Sequence, residues 1–312
     1  MNTLFRKLLL FVSFLAFVST AKAQLPNEKF GKPSSMEWEF IGWRDALDAD
    51  AVILCKTMKA TYKLTDQVAN YNQSSSDISA DNFTDFGKNQ IDESNIVVKY
   101  ECRLRTKILK PEGVQHANID ITYYNTDDDK SNYNDVLSDL KVRVFSKNEK
   151  GKVEKRNIKT DDFVRERIDS NYVVLHVVVP DVQVGSIIEY QYNISSTRAS
   201  FLYDWSFQEC IPTVYSKCDL DIPAILQFNM NTPINKRMKS SVEVGRLEYD
   251  TNRPDLKKGK YCPTNHYVII GEYILPEGDN VDKIANLTSH LLMPRVTPPA
   301  YLPKGITHLK IK

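Results

Sequence analysis

The sequence predicts an all-β protein: an antiparallel β-sandwich with a long polar loop and a smaller C-terminal β extension. Three observations carry this. Apolar and polar residues alternate at a period of two over most of the chain beyond residue 95. Turn signals punctuate the alternating runs. No repeated βα pattern occurs, which removes a doubly wound parallel sheet. The chain has 312 residues, 42% hydrophobic and 26% charged, so it is neither disordered nor fibrous in composition.

The elements follow in order. Arg6 and Lys7 precede an apolar run from Leu8 to Val18, and Ala21-Lys22-Ala23 is a small-x-small site. This is the pattern of a secretory signal peptide over residues 1–23, cleaved between Ala23 and Gln24. The run is short for a bilayer span, and no comparable stretch follows, so no membrane span is expected after cleavage. No cysteine follows the site, which argues against a lipid-anchored form. The expected location is therefore the periplasm or cell envelope. The leader holds Arg6, Lys7 and Lys22 and no acid. The remainder then has 41 − 3 = 38 basic and 40 acidic groups, a balance of −2. A nucleic-acid partner, which needs a concentrated basic face, is not expected.

A β-sandwich domain is expected over residues 24–223. Residues 66–92 are polar, with Ser74-Ser75-Ser76, and read as a long loop or insertion. From Ile96, the even positions Ile96, Val98, Tyr100, Cys102 and Leu104 are apolar and the odd ones include Lys99, Glu101, Arg103 and Arg105. A strand with one buried and one wet face is predicted. Lys110-Pro111-Glu112-Gly113 is a turn, and Ile119, Ile121 and Tyr123 open the next strand. Residues 126–135 form an acidic, Asn-rich loop. Leu140, Val142 and Val144 alternate again, and Lys147 to Lys152 is a hairpin turn. Thr160-Asp161-Asp162-Phe163 predicts the cap of a short helix through about Ile168. Tyr172–Val179 is nearly continuous apolar sequence, as in a strand covered on both faces. Ile188, Tyr190, Tyr192 and Ile194 alternate, and so do Phe201, Tyr203, Trp205 and Phe207. Residues 224–312 read as a β extension and a Pro-rich tail. A short helix is expected between Asp279 and His290, and extended chain from Pro294, with one added strand at Thr307–Lys312 as an option.

The order of segments resembles the N-terminal domain of unknown function that precedes the transglutaminase-like core in exported bacterial proteins, especially Bacteroidetes versions. The matching pieces are Asp50–Leu54, Arg105–Gly113, Asn118–Tyr124, Gly151–Val153, Val179–Tyr190, Trp205–Gln208, Ile211-Pro212 and Asp221–Pro223. The resemblance implies a β-sandwich with no assigned catalytic residue, followed in fuller relatives by a Cys-His-Asp core. Lys312 falls where such a core would begin, so the core is expected to be absent from this sequence. A naturally short chain and a truncated one both fit.

The chemistry-bearing residues are sparse. Of the five cysteines, Cys55 and Cys102 lie in strands and read as core. Cys210 and Cys218 either pair across a hairpin centred near Thr213-Val214 or are small buried side chains. Cys262 and His266 are close in sequence, but two residues do not make a zinc site. His176 reads as a core histidine. No metal or cofactor is expected, and no catalytic residue. Tyr203, Trp205 and Phe207 are the binding candidates: an aromatic stripe that is either the inward face of a sandwich or a platform for a sugar ring. The favoured function is an exported, non-enzymatic β-sandwich module for protein interaction or scaffolding, with a protein partner in the cell envelope. Two alternatives stand beside it: an accessory domain of a truncated transglutaminase-like peptidase or amidase, and a glycan-binding module.

Overall fold

A computed structural model of the chain describes residues 25–64, 96–126, 133–159, 163–199, 201–224, 226, 228–231, 235–248, 261–278, 284 and 286–291. Residues 1–23, the polar stretch 66–92, the acids at 127–129 and the tail beyond 294 lie outside these residues. A short helix, α1 (Ser35–Glu39), precedes the strands. They are β1 (Ala51–Leu64), β2 (Ile96–Ile108), β3 (Ile119–Tyr124), β4 (Val136–Lys147), β5 (Val153–Ile158), β6 (Phe163–Arg167) and β7 (Tyr172–Val177). Then come β8 (Ile187–Ser196), β9 (Thr213–Pro223), β10 (Phe228–Asn231), β11 (Met238–Glu248), β12 (Tyr261–Ile274) and β13 (Thr288–Leu291).

The fold is all-β. One eight-stranded sheet has the order β11-β12-β9-β1-β2-β8-β4-β5, and a three-stranded sheet has the order β3-β7-β6. The inward residues of the small sheet, Ile119, Ile121, Val173 and Leu175, share one apolar core with Tyr100, Val142, Ile188 and Ile194 of the large one. This is face-to-face sheet packing. β10 and β13 form a separate ribbon. β12 pairs with β9, so the sheet continues across residue 223, and Ile269 and Ile274 enter the same core.

The large sheet is not wholly antiparallel. β9 runs parallel to β1. The reason is the connection: residues 197–212 cross the inner face from β8 and enter β9 already turned, as a parallel neighbour requires. Thr213–Pro223 is thus one continuous strand, not a hairpin. Cys210 and Cys218 are both free thiols, one exposed before the strand and one buried within it. The helix expected at Thr160–Ile168 is a strand where it is described, and so is the end of the one expected between Asp279 and His290, whose residues 279–283 and 285 lie outside the described residues. Phe163–Arg167 is β6, held by antiparallel pairing with β7, and Thr288–Leu291 is β13, paired with β10. In β6, available ladder hydrogen bonds outweigh the local capping preference.

The strand faces follow the alternation up to a limit. In β2, Ile96, Val98 and Tyr100 are buried on the inner face. On the outer face, however, Arg105 and Lys107 are also buried, against the expectation that the charged positions face water. The segment Leu25–Trp43 lies over this end of the outer face and covers them. Beneath it, Val52, Leu54, Phe145, Ile187 and Val214 form a second core, closed by Trp38, Phe40 and Trp43. β1 serves both cores because a bulge between Ile53 and Cys55 switches its parity. Ala51 and Ile53 face inward before it, and Met58, Ala60 and Tyr62 after it.

Candidate functional site

The covering segment is latched by charge. α1 starts in a capping box: Ser34 N donates to Glu37 Oε2 at 2.6 Å, and Glu37 N donates to Ser34 Oγ at 3.3 Å. That arrangement aims Glu37 Oε1 at Arg105 Nη1, 2.5 Å away. Arg105 Nη2 donates to Glu189 Oε1 at 2.5 Å and to the Lys29 carbonyl at 2.8 Å. All three side chains are essentially without solvent exposure. Burial raises the Glu189 carboxyl above its usual value, with Arg105 pulling the other way. The two carboxylates hold the Arg105 guanidinium charged despite its burial. Lys107 Nζ donates to the carbonyls of Glu37, Trp38 and Phe40 at 3.2, 2.6 and 2.8 Å, capping the end of α1. Burial lowers its pKa to about 8, helped by Lys147. Two carboxylates thus flank one buried guanidinium, whose Nε alone lacks a hydrogen-bond partner among the described atoms, and together with Lys107 they latch the covering segment to the sheet.

The inner face behaves differently. The crossing segment 197–212 lays Trp205 and Phe207 into the core, 6% and 0% exposed. Trp205 Nε1 donates to Ser216 Oγ at 3.1 Å, and Lys56 Nζ sits 4.4 Å over the ring. Neither ring has an open face for a sugar. Tyr203 is half-buried; its hydroxyl donates to Asp135 and accepts from Tyr124 N at 3.0 Å. The three aromatic candidates therefore serve the inward face of the sandwich, and only Phe201, the first of the stripe, is well exposed.

Between this segment and the small sheet, the floor of the large sheet is incompletely covered. Cys102 and Leu104 on β2, and Tyr190 and Tyr192 on β8, are only half-buried although both strands are central. They are direct neighbours: Leu104 pairs with Tyr190, Cys102 with Tyr192, and Lys56 with Leu104. The two tyrosine rings stack at 6.2 Å and 11°. One wall is Lys56, ion-paired with Glu209 and donating to the Ser206 carbonyl at 3.1 Å. The other wall is β3, an edge strand of the small sheet. Glu209 and Asp120, one from each side, both act electrostatically on Tyr190. At the far end the gap is closed, where Tyr203 reaches Tyr124 and packs edge-on against Tyr100 at 5.1 Å.

The thiols near this floor are not set up as nucleophiles. Burial pushes Cys102 up to about 11 and Cys55 up to about 12, and raises Cys218 as well. A thiol in that state is protonated at neutral pH, the reverse of an activated cysteine. Of the sequence pair Cys262 and His266, the imidazole Nε2 bonds Asp219 at 2.8 Å, and the Cys262 side chain lies outside the described atoms. His176 is not in the core. It stands half-exposed on the outer face of the small sheet, Nδ1 2.7 Å from Asp120 and Nε2 3.1 Å from Glu166. Among the described residues no group of three or more His, Cys, Asp or Glu is arranged to hold a metal ion. None of the helices there is long and apolar enough to cross a membrane.

The chain belongs to a family shown by a match over more than half of its length. The family model matching residues 96–259 is described as a Domain of Unknown Function with solved-structure structure, DUF3857. The match leaves out β1 and β12, which lie between matched strands in the sheet, so the folded unit is larger than the match. Among solved structures the chain is similar to a putative protease from Parabacteroides distasonis ATCC 8503, at 11% identity and a TM-score of 0.47. The alignment covers 78% of this chain and 41% of that one. A comparison with curated proteins finds no match.

Proposed function

We propose that this chain is an exported, non-enzymatic β-sandwich module that works by holding another protein of the cell envelope. The observation that carries the reading is the half-bare inner floor. Leu104, Cys102, Tyr190 and Tyr192 sit on central strands, where a finished sandwich would bury them. Apolar and aromatic side chains that keep partial exposure on central strands are the mark of a contact surface. The raised thiols, and the pairing of Arg105 with two carboxylates beneath the covering segment, support a non-catalytic reading. The pattern of residues 1–23 supports export. An accessory role beside a transglutaminase-like core, implied by the sequence resemblance, is the intramolecular form of the same reading.

The test is site-specific photo-crosslinking in cells. A benzophenone side chain at Tyr190 should give discrete protein adducts, and one at exposed Lys59 on the outer face should give none. Equal adducts from both positions, or none from Tyr190, would overturn the reading. So would cysteine-dependent amide hydrolysis or acyl transfer by the purified chain that Cys262→Ala abolishes. Export is checked separately: mass spectrometry of the exported protein should find Gln24 as its first residue.

A further inference from the structure

We infer that the gap beside β3 receives one extended strand of the partner, which adds to the small sheet as its fourth strand. This deepens the protein-holding reading above and rests on it. The argument starts from the backbone of β3. Tyr124 N donates to Asp135 and Tyr203, not to β7, and Tyr124 O accepts from Asp135 N at 2.9 Å. In an antiparallel pair, alternate residues direct their backbone groups to alternate sides. The N–H and C=O groups of Thr122 and Asp120 therefore point away from β7, toward the gap. Tyr124 is the one even position whose edge groups have partners. The four groups of Thr122 and Asp120 have none among the described residues, and both residues are exposed. Two residues spaced by two along an edge are met by one extended chain, since only that shape returns a donor and an acceptor at each step.

The floor sets the partner's inward side chains. A strand added to β3 lies about 4.8 Å beyond it and about 10 Å above the large sheet. That is the layer in which residues opposite Tyr190 and Tyr192 are missing. Apolar side chains at every second position would cover Tyr192, Tyr190 and Leu104 in turn. The outward side chains would stand beside Asp120 and Thr122. Asp120 is 69% exposed and Glu166 is 70% exposed, flanking His176. A lysine or arginine opposite Asp120 is the favourable cross-strand pair, and an acid there is unfavourable. The occupant is thus a short strand with alternating apolar residues and a basic residue on its other face. The closure at Tyr203 and Asp135 stops it at one end, so entry is from the Asp120 and Glu209 end.

The probe is a fluorescent nonapeptide alternating valine with lysine and threonine, titrated against the full mature chain by anisotropy. Saturable binding is expected, weakened about tenfold or more when the amides meant for β3 are N-methylated, a loss of about 1.4 kcal/mol. Thr122→Pro removes one edge donor without touching the β7 ladder and should weaken binding similarly. Replacing the peptide lysines with glutamates should weaken it too, and Lys59→Glu on the outer face should not. The N-methyl arm needs no variant, so a misfolded Thr122→Pro chain does not blunt the test. Equal binding of the N-methylated peptide, or no saturation, would overturn the strand-addition inference. If Tyr190 crosslinks a protein in cells while the N-methyl arm shows no effect, the holding role survives and the strand geometry falls. Saturable binding of a soluble glucan, lost in Tyr190→Ala and kept in Thr122→Pro, would assign the floor to sugar and overturn both.

Discussion

Replacing Arg105 with methionine keeps most of the side-chain volume and removes the charge. The structure then leaves Glu37 and Glu189 facing each other's site with no cation, both fully buried. Removing one partner of a buried ion network costs about 3–5 kcal/mol, because the remaining charge is uncompensated. At about 2 °C per kcal/mol for a large domain, the thermal midpoint should fall by about 6–10 °C. The covering segment should loosen first, since the Asn27 and Lys29 carbonyls also lose their donor. The pH dependence gives a sharper check. Glu189 already has a raised carboxyl, so its contribution is full below its unfolded pKa and is lost as pH rises through the folded one. Without Arg105 that carboxyl is raised further. The deficit of Arg105→Met against the parent should therefore shrink as pH falls from about 8 to about 5. Calorimetry or urea unfolding across that range is the assay. A deficit under about 1 kcal/mol at neutral pH, or one that does not shrink toward acid, would refute the latch.

Four further outcomes are expected. Lys107→Met strands the carbonyls of Glu37, Trp38 and Phe40 and should cost about 1–3 kcal/mol. The parent's Lys107 pKa is lowered to about 8, so its stability contribution is lost as pH falls through that value; urea titrations should show stability rising more steeply with pH above it in the parent than in Lys107→Met. Among Cys55, Cys102, Cys210 and Cys218, a maleimide should modify Cys210 first, because Cys55 and Cys218 are buried and half-buried Cys102 is held protonated. Peptide mapping showing Cys55 or Cys102 labelled as fast would contradict this. Gly113→Ala drives a methyl into the Asp50 carbonyl, 2.6 Å from its carbon, and should destabilise by about 1–3 kcal/mol or more in thermal melts. At Gly151, by contrast, nothing lies within 4 Å and only the positive φ of 73° resists a side chain, so about 1 kcal/mol is expected.

Much of this fold was legible because period two survives in strands whose one face is dry. The runs at Ile96–Tyr100, Ile119–Tyr123 and Ile188–Ile194 needed only that pattern. The hairpin at Asn148–Gly151 was legible from turn chemistry: Asn148 Oδ1 accepts from Lys150 N and Lys152 N, and Gly151 takes the positive φ. What failed did so for non-local reasons. Arg105 and Lys107 read as solvent-facing because charge usually is; the segment that buries them lies about seventy positions upstream. One local signal pointed there, the Ser34 to Glu37 capping-box spacing. The parallel β9 depends on where residues 197–212 cross, which no periodicity encodes. β6 reads as a capped helix until β7 offers it a ladder. The site was half legible. Of the stripe Tyr203, Trp205 and Phe207, the last two are buried in the inward face, and the partly exposed rings on the central strands are Tyr190 and Tyr192. Their partial exposure arises because the second sheet has fewer strands than the first, a fact of assembly rather than of any segment.

The most direct measurement is hydrogen exchange at the amides of Asp120 and Thr122, with and without saturating nonapeptide. Their N–H groups face the gap and should exchange quickly in the free chain. The account predicts that both slow by about tenfold or more on saturation, while the amide of Lys59 on the outer-facing part of β1 does not change. Saturation that leaves Asp120 and Thr122 exchanging as before would contradict strand addition at β3.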